Sequence, residues 1–405
     1  MKINHFIGGI LLVAGTTIGA GMLALPVMTS FVGFLPSLLI FGVCWIVMLA
    51  TAFFFLDVNF SIEGEINLIS MAHRTLGTWG KVVSWIVYLL LLYSLTAAYI
   101  AAGAPLFQTA IAAITGYEIP LYLAHFALPV IFGGFVYLGT LGVDMVNRFL
   151  MLGLCVSYLL LVGFLPEHIH GDLLMHIDWN PTLVAVPVVI TSFGYHIIIP
   201  SLTTYMNHDK KHLRWTLLIG SIFPLVIYIL WQIIILGIVP LEGKVSLVEA
   251  WKQGLSVTQP LAQIVQSQWI KVGAHFFSFF AIVTSFLGVS LSLSDFLTDG
   301  FKLKKTWEGR LFAILLTFVP PLVFVFTYQR GFIIALEYAA AFVAILLIFL
   351  PAIMAWHLDK PKFYKTTGGR LLLLFVMLFA FFIVVIDLLE QWGYFKPLIS
   401  QYVSI

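Results

Sequence analysis

Charge is what this sequence has least of. Asp, Glu, Lys and Arg make up only 9% of its 405 residues, apolar residues make up 61%, and the mean hydropathy is +1.06. A soluble chain carries about 25% charge, so this one has too little polar surface for water, whereas a bilayer demands none. Its length therefore points to many membrane spans rather than to two or three soluble domains. A net charge of +2 gives no footprint for nucleic acid. Cysteine is scarce too: Cys44 and Cys155 lie deep in apolar runs and read as lipid- or core-facing thiols, not as a disulfide. A nucleotide-binding loop, a Cys/His zinc spacing and a nucleophile elbow are all missing. That argues against an enzyme and against ATP-driven transport by this chain alone.

What is present is a series of apolar runs. About 20 apolar residues cross the hydrocarbon as a helix, and such runs lie near 6–32, 35–57, 82–111, 121–142, 146–166, 182–205, 214–239, 269–298, 310–328, 332–356 and 371–394. That makes eleven spans in one transmembrane domain. The first run is too long for the apolar core of a secretory signal, and it stays as span 1. Direction follows from Lys and Arg. With the N-terminus in the cytoplasm, fifteen basic residues, from Lys2 to Arg370, fall on that side, and five (Lys244, Lys252, Lys271, Arg330, Lys396) fall outside. The C-terminus is then outside.

Two spans carry the wrong residues for a continuous helix. Span 1 contains Gly15-Thr16-Thr17-Ile18-Gly19-Ala20-Gly21, and each interior Gly costs about 1 kcal/mol relative to Ala. Span 6 contains Thr191-Ser192-Phe193-Gly194-Tyr195-His196, followed by Pro200. Freed backbone groups are tolerated at depth only where protein buries them or a cavity hydrates them. Gly15-x-x-x-Gly19 alone also fits a helix-packing motif. Interruptions five spans apart, at matching places, point instead to a transporter site between inverted halves, 1–166 and 182–356, with 371–394 added. His196 fits both a structural histidine and a proton or substrate contact.

Polar stripes accompany the breaks. Tyr93, Thr96, Tyr99 and Gly103 share one face of span 3; Ser278, Ala281, Ser285, Gly288 and Ser292 share one face of span 8 and continue toward Asp295 and Asp299. Among charges in or at the ends of spans, Glu337, Asp387 and Asp295 are the coupling candidates, while Asp57, Asp144 and Arg148 read as interfacial anchors. No Lys lies mid-span to replace a coupling sodium ion. The loop with Glu167, His168, His170, Asp172, His176 and Asp178 has metal-ligand side chains but no spacing that fixes four of them, and reads as solvated. Residues 58–80, with Glu63, Glu65, His73 and Arg74, predict a short interfacial helix. Residues 240–268, with Ser246 to Trp251 and Gln259 to Gln266, predict one or two surface helices over an outer vestibule.

These residues resemble a known family. Ala14-Gly15-Thr16-Thr17-Ile18-Gly19-Ala20-Gly21-Met22-Leu23, Leu95-Thr96-Ala97-Ala98-Tyr99-Ile100, Asn147-Arg148-Phe149, Thr191 to His196, Pro200-Ser201 and Thr284-Ser285-Phe286-Leu287-Gly288-Val289 are similar to stretches of the bacterial hydroxy and aromatic amino acid permeases, within the amino acid–polyamine–organocation superfamily. The likeness is greatest to the tyrosine-specific permeases, then to the tryptophan permeases. It implies an all-α integral membrane protein of the bacterial inner membrane with a LeuT-type fold. It also implies import of an aromatic L-amino acid by proton symport, with no cofactor, no metal and no obligate protein partner. Gly15, Thr16, Thr17, Gly19 and Gly21 would hold the substrate's carboxylate and ammonium. Phe193, Gly194, Tyr195 and His196 would form the opposite wall, with Phe193 as outer lid; Tyr99 and Ser285 would complete the pocket. Sodium coupling, exchange, or another neutral amino acid are the nearer alternatives, and a passive channel the more distant one.

Overall fold

The computed structural model describes residues 3–62, 67–265, 267–304, 306–328 and 330–403. Lys2, Glu63, Glu65, Gln266 and Lys305, which enter the expectations above, lie outside the described residues. Among the described residues, ten helices are each long and apolar enough to cross a membrane, and a bent pair, Ile3–Thr17 (1a) and Gly21–Thr29 (1b), makes an eleventh. The others are Phe34–Ser61, Leu68–Thr115, Leu121–Leu138, Gly142–Phe164, Thr182–Tyr205, Lys210–Ile238, Gln268–Gly300, Trp307–Thr327, Gly331–Trp356 and Thr367–Gln391, spans 2 to 11 in order. Helices are the expected outcome, because each one satisfies its own backbone where water is missing.

The expected connectors are also found. The interfacial helix begins at Leu68 and breaks at Gly77, where φ is +74° and ψ is −156°, a non-helical conformation open to glycine, and span 3 follows directly. On the other side, Leu247–Gln253 and Thr258–Ile264 are the two surface helices. Span 10 holds a feature that no residue pattern announced, a π-helical stretch over Ala344–Phe349.

Burial sorts the spans into a centre and a rim. In the most apolar window of spans 10 and 6, 72% and 67% of residues are buried, against 22% in span 5 and 28% in spans 4 and 9. The rim spans turn Phe149, Leu152, Leu159, Val130 and Val323 outward, as lipid-facing helices do. At the centre, 1b packs on the first part of span 6, span 3 on span 10, span 8 on spans 3 and 5, and span 2 on span 7. Span 6 and half-span 1b thus lie where protein surrounds them, while 1a keeps Ile7, Leu11 and Leu12 exposed.

Candidate functional site

Both expected interruptions are present, and they meet. Span 1 bends by 55° between Thr17 and Gly21. Span 6 stops as a helix at Ser192 (half-span 6a), crosses Phe193 to Tyr195, makes a short turn over His196–Ile198, and resumes at Ile199 as far as Tyr205 (6b). Pro200, which lacks a donor, sits in the first turn of 6b, where no donor is needed.

Glycine is a steric requirement in span 1. A Cβ at Gly19 would lie 2.6 Å from the Ser285 hydroxyl oxygen, and one at Gly21 would lie 3.1 Å from that of Ser192. The approach has a chemical purpose: the Ala20 N–H, left without a helical partner by the break, donates to Ser285 Oγ at 3.1 Å. The hydroxyl of buried Tyr99 from span 3 lies near Ser285. Gly19, Gly21, Tyr99 and Ser285 are therefore brought together around one point, with 6a forming the adjoining wall.

The remaining candidates take up varied positions. Phe193 is fully buried, its ring edge-on to Tyr228 at 5.3 Å, and Gly194 faces Leu347 of span 10. Tyr195 lies against His196, ring centres 5.2 Å apart. His196 turns away from span 1: its Nε2 is 2.8 Å from Thr51 Oγ1 on span 2, and Phe55 lies against the ring. Thr51 Oγ1 also lies 3.0 Å from the Met48 carbonyl. Gly15 faces Met151 of span 5. Thr16 and Thr17 return their hydroxyls to Leu12 O and Val13 O, at 2.7 and 2.8 Å. Asp295 is ten residues from Ser285, about 15 Å along the helix.

The span 3 stripe divides. Tyr93 donates to Leu316 O in span 9 at 2.9 Å and so leaves the face that carries Tyr99. The span 8 stripe holds and is graded: Ser278 and Ala281 are buried, Ser285 is half-buried, and Gly288, Ser292, Asp295 and Asp299 are exposed. Along 1b, by contrast, every residue from Met22 to Thr29 is buried. Two surface helices close that end: Val257 N donates to Leu23 O at 3.2 Å, Trp251 packs edge-on to Phe31, and the Arg330 guanidinium stacks 3.7 Å over Trp251.

Glu337 and Asp387 belong to a separate group. Glu337 on span 10 and Asp387 and Glu390 on span 11 are drawn together with Arg330. Glu337 Oε1 and Asp387 Oδ1 are buried without a hydrogen-bond partner. The 166–178 loop keeps Glu167, His170 and Asp172 exposed, and it is tied down at His176 and Asp178. His176 bonds Phe31 O at 3.0 Å, and Asp178 accepts from Tyr402 Oη at 2.6 Å and Gln401 Nε2 at 3.0 Å. Burial alone would raise the Asp178 carboxyl; those two donors, the Asn180 N–H and nearby His176 outweigh it and hold the group below its ordinary value. Asp57, read as an interfacial anchor, is buried and takes Lys210 at 2.8 Å, Arg214 at 3.0 Å and Tyr364 at 2.7 Å.

Sequence reasoning missed the contribution of span 7. Tyr228 Oη reaches Thr17 O at 2.7 Å and Ser192 O at 2.9 Å, while Gln232, one turn on, donates to Thr29 Oγ1 at 2.6 Å. The available signal was a tyrosine and a glutamine four residues apart in an otherwise apolar span. Such polar groups need partners, which only neighbouring helices supply.

Over residues 2–387 the sequence matches the tryptophan/tyrosine permease family. It is 33% identical over 401 residues to tyrosine-specific transport system 1 of Haemophilus influenzae, covering 96% of this chain and 98% of that relative. The tryptophan-specific transport protein of the same organism is 31% identical over 410 residues, covering 97% and 98%. Among solved structures, a mutant of the manganese transporter of Eremococcus coleocola aligns with a TM-score of 0.61 at 14% identity, covering 95% of this chain and 85% of its own. That likeness concerns the fold alone, and it agrees with the expected all-α, LeuT-type membrane architecture. The chain, an integral membrane protein, belongs to the tryptophan/tyrosine permease family.

Proposed function

We propose that this permease imports an aromatic L-amino acid, tyrosine by preference, by proton symport with alternating access across the bacterial inner membrane. The observation that carries the reading is the meeting of the two broken spans beside Ser285 and Tyr99. The start of 1b offers N–H groups and a positive dipole end to a carboxylate; the ends of 1a and 6a offer carbonyls and a negative dipole end to an ammonium. Phe193 supplies an apolar ring beside them, and Tyr99 and Ser285 supply hydroxyls that a phenolic substrate can engage. Gly15, Thr16, Thr17, Gly194, Tyr195 and His196 complete the candidate set as the frame of the two breaks.

The halves 1–166 and 182–356 read as inverted repeats, with span 11 added. Supporting this, exchanging the halves maps the packing of span 3 on span 10 onto that of span 8 on span 5, and that of span 1 on span 7 onto that of span 6 on span 2. The graded exposure of span 8, together with the sealed 1b end, supports a site open toward the side of the N-terminus, which the Lys/Arg bias makes the cytoplasm. Of the coupling candidates His196, Glu337 and Asp295, the geometry favours Glu337, a buried carboxylate with an unpartnered oxygen. Tryptophan is the second reading, since the tryptophan-specific relative is nearly as similar as the tyrosine-specific one.

Proteoliposomes test the proposal. An inward proton gradient drives accumulation of labelled tyrosine, and unlabelled aromatic amino acids compete in order of preference. No accumulation of any aromatic amino acid would refute transport; accumulation that follows sodium at fixed pH would refute the coupling.

A further inference from the structure

Half-spans 1a and 6a both end at the site, so two helix C-termini, each with carbonyls that its own helix cannot satisfy, face the same small volume. One hydroxyl lies between them. Tyr228 Oη is 2.7 Å from Thr17 O and 2.9 Å from Ser192 O, the last residues of the two half-spans. A phenol has one proton and cannot fully satisfy two carbonyls at once. The ring that carries it is fully buried, with Phe193 edge-on at 5.3 Å and Phe41 beyond, so the donor cannot swing away. Span 7 thus presents a fixed neutral donor where two negative dipole ends converge.

We infer that Tyr228 is a positioning residue: in the empty carrier its hydroxyl stands in for the substrate's ammonium, bridging the broken ends of spans 1 and 6 so that the carrier can close and return without cargo. The inference rests on the proposed midplane site. An ammonium brings three donors and a positive charge to the carbonyls that share one phenol proton, so the loaded carrier needs Tyr228 little. An empty carrier open to solvent has water as a substitute. The closed state crossed during empty return excludes water, and there an uncompensated pair of carbonyls is costly. The hydroxyl therefore matters for one step, the return of the empty carrier, and hardly for exchange of one substrate molecule for another.

Tyr228→Phe separates these steps. In proteoliposomes, tyrosine–tyrosine exchange stays within about twofold of wild type while proton-driven net uptake falls about tenfold or more, as loss of a buried donor's bond predicts. In the purified protein, the variant is less thermostable than wild type when empty, and saturating tyrosine closes most of that difference, because ligand binding stabilises the bound form alone. Exchange and net uptake falling together, or both unchanged, overturns the inference, as does a stability loss that tyrosine leaves intact. If Tyr228→Phe does not reach the membrane, Tyr228→4-aminophenylalanine carries the test. Its N–H donors lie at the reach of the phenol hydroxyl and keep the exchange-to-uptake ratio near wild type, and a ratio raised tenfold overturns the assignment. Wild-type protein that exchanges no aromatic amino acid refutes the transport proposal instead, a distinct result.

Discussion

The two interrupted spans are broken with opposite materials. Span 1 breaks across Ile18-Gly19-Ala20, and its glycine lets another span's hydroxyl press against bare backbone. Span 6 breaks across Phe193-Gly194-Tyr195, whose two rings are fully buried. The first interruption exposes peptide groups and the second supplies aromatic wall. An aromatic amino acid has both kinds of surface, a charged backbone end and a flat ring, and the proposed site between these breaks would match each with its own kind. The glycines of span 1 are therefore the less replaceable.

The comparison can be broken at Gly19. Gly19→Leu places a side chain where the Ser285 hydroxyl already sits, and tyrosine binding is abolished while the protein still inserts. Gly19→Ala weakens binding about tenfold or more; adding Ser285→Ala vacates the hydroxyl's volume and restores part of it, measurable by equilibrium binding. Gly194→Ala is the matched change in span 6. Its Cβ would lie 3.2 Å from Thr191 O and 3.5 Å from Leu347, so binding weakens only about two- to fivefold.

A second pair sharpens the account of coupling. Glu337→Gln removes a titrating group that the pocket does not need, so tyrosine still binds but uptake loses most of its dependence on the proton gradient. His196→Ala loses the bond to Thr51 and some thermal stability, yet its uptake keeps the wild-type pH profile. A changed profile there would return His196 to the coupling path.

The smallest effect lies outside the membrane. Asp178, held below its ordinary value by its donors, stabilises the fold once pH exceeds the unfolded carboxyl's value and loses that contribution as pH falls through the folded one. Tyr402→Phe removes the strongest of those donors. A thermal melt at pH 7 should fall by about 1–2 °C, and the difference should vanish in strongly acidic buffer.

Eleven spans were legible because lipid imposes a length and an apolarity that a sequence shows directly. The interruptions were legible because glycine and proline tell where a helix lacks backbone support. Sequence did not show which side chain from a distant span answers each freed group. Ser285 was reached through its stripe and its family motif, but Tyr228 and Gln232 stood in span 7 as isolated polar residues, meaningful only once spans 1 and 6 lay beside them. Likewise, nothing local showed that His196 turns toward Thr51, or that Asp178 meets Tyr402, 224 residues away.

The central claim is that the broken backbone of span 1 is where the amino acid binds. Equilibrium binding of tyrosine to purified wild-type protein and to Gly19→Leu, with the thermal stability of both empty proteins measured alongside, tests it most directly. The account predicts saturable binding to the wild type and none to the variant, with an empty variant that still unfolds cooperatively, at a somewhat lower melting temperature. Tyrosine bound by Gly19→Leu with normal affinity would contradict it.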